Sequence, residues 1–260
     1  MIRGLSALAI LCILVAMPVI SYAQAPVAAF TANKTSGCSP VVVQFTDVST
    51  GSPTSWFWDL GNGGTSTLQN PAATYITPGT YTVILTATNI NGSTKDTNYI
   101  TVHTSPTVAF SADTTTTCGS KTVQFTNTTT PGAGGAVSYL WDFGDGDSST
   151  AVSPLHTYTY SGTFTVSLIV INSSGCTGTL TKSSYINILP KPVSAFAASQ
   201  TSSCNAPFQV TFTNTTSNGV SYAWTFGDGN TSTSTSPVHT YTTSGTYTVR
   251  LISSGANGCK

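Results

Sequence analysis

The chain has 260 residues, 8 basic and 8 acidic side chains and a formal net charge of zero, and charged residues are only 6% of it. That balance excludes a basic nucleic-acid binder, which needs a positive surplus against phosphates. The 39% hydrophobic and 10% aromatic content excludes a charge-rich disordered tail. Every acid is Asp, Glu is absent, and Thr and Ser fill 83 positions, so strong helix formers give way to β-branched residues and an all-β fold is expected.

Residues 1–23 read as a secretory signal peptide. Arg3 supplies the positive start, and Leu5 to Ile20 is an apolar stretch broken by little except Ser6 and Pro18. Ser21 and Ala23 are small residues at the −3 and −1 positions of a cleavage site after Ala23. The apolar run is short for a membrane anchor. Cys12 follows Leu11, not the small residue that a lipid-attachment cysteine requires. Cleavage would leave a chain starting at Gln24, with no later segment long enough to span a bilayer, and a location outside the cell or on its surface.

The remainder is one unit written three times. Trp58-Asp59-Leu60-Gly61-Asn62-Gly63 returns 83 residues later as Trp141-Asp142-Phe143-Gly144-Asp145-Gly146, and after another 83 as Trp224-Thr225-Phe226-Gly227-Asp228-Gly229. Pro71 to Asn89 matches Pro154 to Asn172, and the stretch from Pro237 matches both. Ala29-Phe30 with Cys38 matches Ala109-Phe110 with Cys118 and Ala195-Phe196 with Cys204. The expected modules are 24–104, 105–190 and 191–260, joined through Thr104-Ser105-Pro106 and Pro190-Lys191-Pro192, where proline fixes φ and stiffens the joint.

Within each module the pattern is that of strands. Val43, Phe45 and Asp47 alternate with Val42, Gln44 and Thr46. Tyr81, Val83, Leu85 and Ala87 define one face of a later strand, and Phe164, Val166, Leu168 and Val170 are its copy. Turn residues at Pro53, Gly61 to Gly64, Pro78-Gly79 and Asn91-Gly92 separate the runs. About seven short strands in such a span predict an immunoglobulin-like β-sandwich. Module three stops one residue after Cys259, whereas module two continues from Cys176 through Thr177 to Leu189. The third sandwich is therefore expected to lack its last strand, and the chain to be the N-terminal part of a longer protein.

Trp-Asp-Phe-Gly-Asp-Gly, followed by Pro-x-His-Thr-Tyr and Gly-Thr-Tyr/Phe-Thr-Val, resembles the PKD domain, named for polycystic kidney disease. The resemblance covers nearly all of 26–260. It departs at Thr225 in module three and at Leu60, Asn62 and Ala73 in module one. It implies extracellular β-sandwich modules used for adhesion or as spacers beside catalytic domains. The Thr-rich, Cys-bearing form looks like the tandem arrays on secreted proteins of Bacteroidota-type bacteria.

Candidate chemistry centres on Asp142, Asp145 and Asp147, three carboxylates close enough to suggest Ca²⁺ or an acid–base pair. Their equivalents are Asp59, Asn62 and Gly64 in module one and Thr225, Asp228 and Asn230 in module three, which argues for turn structure instead. His156 and His239 share a position filled by Ala73 in module one, and neither has a metal-ligand partner at fixed spacing. No nucleophile elbow appears. The pairs Trp56 with Trp58, Tyr139 with Trp141 and Tyr222 with Trp224 each share a face. They are expected in the core, with the turn glycines Gly61, Gly144, Gly146, Gly227 and Gly229 beside them. A carbohydrate-binding module would need solvent-facing aromatics, and none stands out. No catalytic residue, cofactor or resident metal is expected. The partner would be a surface polysaccharide or another protein.

Five cysteines follow the leader: Cys38, Cys118, Cys176, Cys204 and Cys259. Export favours disulfides. Pairing within modules joins Cys118 to Cys176 and Cys204 to Cys259 and leaves Cys38 alone. Pairing between modules joins Cys38 to Cys176 and Cys118 to Cys259, with Cys204 left for a fourth module. Cys38 lies midway between Phe30 and Phe45, at the tip of the first hairpin, and Cys176 lies twelve residues after Phe164, just past the far end of the next-to-last strand. In an immunoglobulin-like order those two tips of a module lie at opposite ends. A strand of about seven residues spans roughly 20 Å, against the ~7 Å that a disulfide tolerates between Cα atoms. This separation favours bridges between modules, which would stiffen the array into a rod.

Overall fold

The computed structural model describes residues 24–260, so the expected leader lies outside the described residues. Strands and turns dominate, with a single short 3₁₀ turn at Ala256–Gly258 among the described residues. The first copy holds β1 (Phe30–Ala32), β2 (Ser36–Cys38), β3 (Val41–Asp47), β4 (Ser55–Asp59), β5 (Thr65–Ser66), β6 (Ala72–Tyr75), β7 (Gly79–Asn89) and β8 (Gly92–His103). They form a three-stranded sheet β1-β3-β6 and a five-stranded sheet β2-β8-β7-β4-β5. In β3, Val41, Val43 and Phe45 are buried while Val42, Gln44 and Thr46 face solvent. Period-two alternation is what a sheet covered on one face requires.

The second copy repeats this with β9 (Phe110–Ala112), β10 (Thr116–Cys118), β11 (Lys121–Asn127), β12 (Ala136–Asp142), β13 (Ser148–Ser149), β14 (Leu155–Tyr158), β15 (Gly162–Asn172) and β16 (Thr177–Leu189). The sheets are β14-β11-β9 and β10-β16-β15-β12-β13. Phe110, Phe125, Trp141, Phe143 and Tyr158 pack against Val166, Leu168, Val170, Ile186 and Ile188 between them. The architecture is a pair of face-to-face antiparallel sheets, an immunoglobulin-like sandwich, repeated in tandem.

The third copy has β17 (Phe196–Ala198), β18 (Phe208–Asn214), β19 (Ser221–Thr225), β20 (Thr231–Ser232), β21 (Val238–Tyr241) and β22 (Arg250–Ser254), in sheets β17-β18-β21 and β20-β19-β22. β22 has five residues where β15 has eleven. The reason lies in the pairing. The first half of β15 is held only by β16, through Gly162↔Ile188 and Phe164↔Ile186, whereas β12 begins to pair at Ser167. Among the described residues the third copy has no counterpart of β16, and its strand begins where β19 begins to pair, at Arg250.

By compactness the chain divides into a unit ending at Ser36 and resuming over Pro40–Thr101, and a second unit of Gly37–Ser39 with Val102–Lys260. Within the second unit, Asn172 is buried and its side-chain amide donates to the carbonyls of Thr104 (2.9 Å) and Pro131 (3.2 Å). That ties the Thr104–Pro106 joint to the turn between β15 and β16.

One expectation needs correcting. The position of Cys38 midway between Phe30 and Phe45 predicts the tip of the first hairpin for it and its counterpart Cys118. Cys118 instead ends β10, which runs parallel to β16 with Cys118 across from Leu189. The segment between β9 and β11 leaves their sheet to pair with the other one.

Candidate functional site

The three glycine-rich turns have one geometry. Trp58, Trp141 and Trp224 are fully buried, and each indole N–H donates 2.9 Å to a carbonyl across the turn: Leu68, Ala151 and Ser234 respectively. Tyr75, Tyr158 and Tyr241 send their hydroxyls to the carbonyls of Leu60 (2.8 Å), Phe143 (3.0 Å) and Phe226 (3.0 Å). Burial pushes the Tyr75 hydroxyl up to about 12, with Tyr81 adding to it, and raises Tyr158 and Tyr241 as well. Each turn thus pins a buried indole and a buried phenol to backbone.

The acidic side chains serve the turn backbone. Asp142 accepts from the Gly144 N–H (2.9 Å) and Asp145 from the Asp147 N–H (3.2 Å). Asp59 accepts from Gly61 N–H and Asn62 from Gly64 N–H, both at 3.0 Å. Asp228 accepts from the Asn230 N–H at 3.0 Å. These are side-chain to backbone turns of the Asx kind. Gly61, Gly144 and Gly227 all have positive φ, and a Cβ on any of them would collide with the backbone of Thr82, Thr165 or Thr248.

His156 has a partner that spacing did not reveal. Its Nε2 lies 2.7 Å from Asp145 Oδ2, and its ring stacks on Phe143 at 4.1 Å between centroids. His239 repeats the arrangement with Asp228 (2.7 Å) and Phe226 (4.1 Å). The pair joins residues eleven apart on a turn and a strand, β14 or β21, which no fixed-spacing motif covers. Asp145, Asp147 and His156 thereby come together with donor atoms within 4.8 Å, and Asp142 stands outside the group. A histidine and two carboxylates are a poor match for Ca²⁺, which takes six to eight oxygens. Module one builds the same turn with Asn62 and Ala73 in place of the pair, Asn62 donating to the Thr74 carbonyl at 3.2 Å. The pair is not needed to form the turn.

Burial pushes the Asp228 carboxyl up, but donors from Asn230 and His239 outweigh it and hold it at about 2. Asp47 behaves likewise. Burial raises it, while Ser49, Gln69 and the Trp56 indole N–H (2.7 Å) donate to it and keep it below the usual carboxylate range. Asp47 links Trp56 to the end of β3. Its counterparts Asn127 and Asn214 carry no charge but still accept from the backbone of Thr129 and Thr216.

Solvent-facing aromatics do occur, contrary to the reading from sequence. Phe57, Tyr99 and Tyr160 are about half exposed or more. Tyr99 recurs as Tyr185, which is half-buried against Phe110, and the other two have no aromatic counterpart, so no platform is common to the three copies. The residues that match Phe57 are Leu140 and Ala223, and those that match Tyr160 are Thr77 and Thr243.

The cysteines complete the site. Cys38 bonds Cys176 (Cα–Cα 5.5 Å) and Cys118 bonds Cys259 (Cα–Cα 5.7 Å), across 138 and 141 residues of sequence. Cys204, grouped with them as a disulfide cysteine, is an exposed free thiol. No helix among the described residues is long and apolar enough to cross a membrane.

The sandwich, its Trp–Gly–Tyr turn and the threefold repeat define a tandem array of immunoglobulin-like modules. The PKD domain family model matches residues 23–104, 103–188 and 189–260, and the chain belongs to that family. A microbial collagenase of Vibrio alginolyticus is 48% identical over 63 residues, which is 24% of this chain and 8% of the collagenase. The pre-pro-metalloprotease PrtV of Vibrio cholerae serotype O1 (strain M66-2) is 45% identical over 49 residues, 19% of this chain and 5% of the protease. The crystal structure of the PKD1 domain of Vibrio cholerae PrtV aligns with 33% identity and a TM-score of 0.29, covering 33% of this chain and 98% of that domain. The chain spans less than a tenth of the length of these curated relatives. Its matched residues are PKD modules, a non-catalytic class of domain.

Proposed function

We propose that this chain is the spacer or adhesion region of a longer bacterial protein, exported by residues 1–23 and held outside the cell or at its surface. The modules would be 24–104, 105–190 and 191–260. One observation carries the reading. The residues that recur in all three copies, the buried Trp, the turn Gly and the buried Tyr, are spent on the sandwich itself, whereas the polar residues around the turn change from copy to copy. A scaffold repeated for length and surface has that signature. The disulfides fit an oxidising compartment. The low charge suits contact with a polysaccharide or protein surface without strong electrostatics, and the Thr-rich, Cys-bearing arrays point to a Bacteroidota-type source.

A second reading has its own support: the relatives that match are named as a collagenase and a metalloprotease. The modules would then be the accessory arm of a secreted hydrolase. Reading the gene through the codon for Lys260 separates the two. Further modules followed by a surface-sorting or adhesive end support the spacer. A domain with a catalytic constellation supports the accessory arm. Pull-down of the chain on insoluble polysaccharides tests sugar contact directly, and no retention by any of them removes that partner.

A further inference from the structure

The second copy holds a pair that its turn does not need and sets a third ligand-type side chain beside it. Asp145 and His156 are only 6% and 9% exposed. Two rings fix the imidazole: it stacks on Phe143 at 4.1 Å and meets Tyr158 edge-on at 4.6 Å. The Asp147 N–H occupies Asp145 Oδ1 (3.2 Å) and leaves Oδ2 to the imidazole. Asp147 is exposed, and its carboxylate lies within 4.8 Å of both other donor atoms. In the third copy the same pair is closed by a donor. Asp228 Oδ2 lies 2.7 Å from His239 Nε2 and also accepts from Asn230 Nδ2 at 3.0 Å. Asp147 stands at the position of Asn230, and a carboxylate cannot take over that donation. The change removes a donor and sets two carboxylates facing one imidazole, an arrangement that a cation relieves.

We propose that Asp145, Asp147 and His156 form a transition-metal site of the Zn²⁺ class. The ligands are Asp145 Oδ2, an Asp147 carboxylate oxygen and His156 Nε2, with water in the remaining position. One imidazole nitrogen and two carboxylate oxygens suit Zn²⁺, which accepts three protein ligands and a water, and fall short of the six to eight oxygens that Ca²⁺ takes. Bonds of about 2.0–2.2 Å place the ligand atoms of a tetrahedral Zn²⁺ about 3.4 Å apart. The 2.7 Å contact between Asp145 and His156 therefore opens by about 0.7 Å, and the exposed Asp147 side chain swings in. Phe143, Tyr158 and the Asp147 N–H already orient the other two ligands, the outer support that metal sites rely on. The metal clips the turn to β14. The first and third copies make that link with hydrogen bonds, from Asn62 to Thr74 and between Asp228 and His239. The site holds whether the array is a spacer or an accessory arm.

The test is the zinc stoichiometry of the oxidised chain. The exposed Cys204 thiol is alkylated first so that it does not compete, and Zn²⁺ is titrated in by calorimetry. Each variant places a residue that another copy already carries at that position. Asp147→Asn follows Asn230, His156→Ala follows Ala73, and Asn230→Asp follows Asp147. The unaltered chain is expected to bind one Zn²⁺. Asp147→Asn and His156→Ala should each weaken binding about tenfold or more, and Asn230→Asp should raise the stoichiometry to two. No saturable binding overturns the site. So does binding that keeps its full strength in Asp147→Asn, or a stoichiometry that stays at one in Asn230→Asp. Tighter binding of Ca²⁺ than of Zn²⁺ overturns the metal class. If a variant does not fold, the imidazole resonances of the unaltered chain decide. A shift of His156 at one equivalent, with His103 and His239 unmoved, supports the site, and a shift of either of those in its place overturns it.

Discussion

Gly144 shows how one side chain sets a module's stability. Its φ of +80° is costly for any other residue, and the Thr165 backbone leaves no room for a Cβ. Gly144→Ala should destabilise module two by roughly 2 kcal/mol or more. Gly146→Ala, at φ +102° with nothing near its Cβ, should cost only about 1 kcal/mol. Chemical denaturation followed by tryptophan fluorescence checks the pair, and equal losses would contradict the steric argument. Protons act at the same scale. Asp47 and Asp228 have carboxyls held below their usual 3.8, Asp228 at about 2. A depressed folded-state value means stability that is present above the unfolded value and lost as pH falls through the folded one. The chain should therefore weaken as pH falls from about 4 toward about 2, the Asp228 share going last. Asp228→Asn should flatten that limb in denaturation midpoints measured across the window. An unchanged acid limb in the variant would show that other groups control it.

At the scale of strands, most of the sandwich was legible, because the long strands carry their own evidence. Val83, Leu85 and Ala87 alternate strictly with outward residues and are fully buried, as period two demands. β10 was not legible. Thr116-Thr117-Cys118 has no apolar alternation, and it becomes a strand only because β16, about seventy residues on, offers its edge. The Asp145–His156 contact escaped for a similar reason: it joins a turn to a strand through sheet register rather than through spacing along the chain. β16 thus supports two neighbours at once. Ile188→Asp, which puts a charge in a site 1% exposed, should cost module two about 3 kcal/mol or more. It should also release the amides of β10 to exchange. If β10 stays protected in the variant, its pairing with β16 is not what orders it.

Across the whole molecule, trypsin offers a direct reading of the covalent links, because each of the five cysteines falls in its own tryptic peptide. Cleavage after Lys34, Lys95, Lys121, Lys182 and Arg250 isolates Cys38, Cys118, Cys176, Cys204 and Cys259 from one another. Digestion without reduction should give residues 35–95 joined to 122–182, and 96–121 joined to 251–260. The Cys204 peptide should react with a thiol alkylating reagent before any reductant is added. A species joining 96–121 to 122–182 would overturn the pairing.

The overlap of the two bridges has a mechanical consequence. The loop closed by Cys38 and Cys176 and the loop closed by Cys118 and Cys259 share the stretch between Cys118 and Cys176. Under tension between Gln24 and Lys260, the shortest covalent route runs from Gln24 to Cys38, across to Cys176, back along the chain to Cys118 and across to Cys259. Even if every strand were pulled out, the oxidised chain would reach only about 250 Å, against about 800 Å once reduced. The bridges therefore act as a strain limiter. A filament of such modules can be loaded until hydrogen bonds fail and still keep most of its contour in reserve, released by reductant rather than by force.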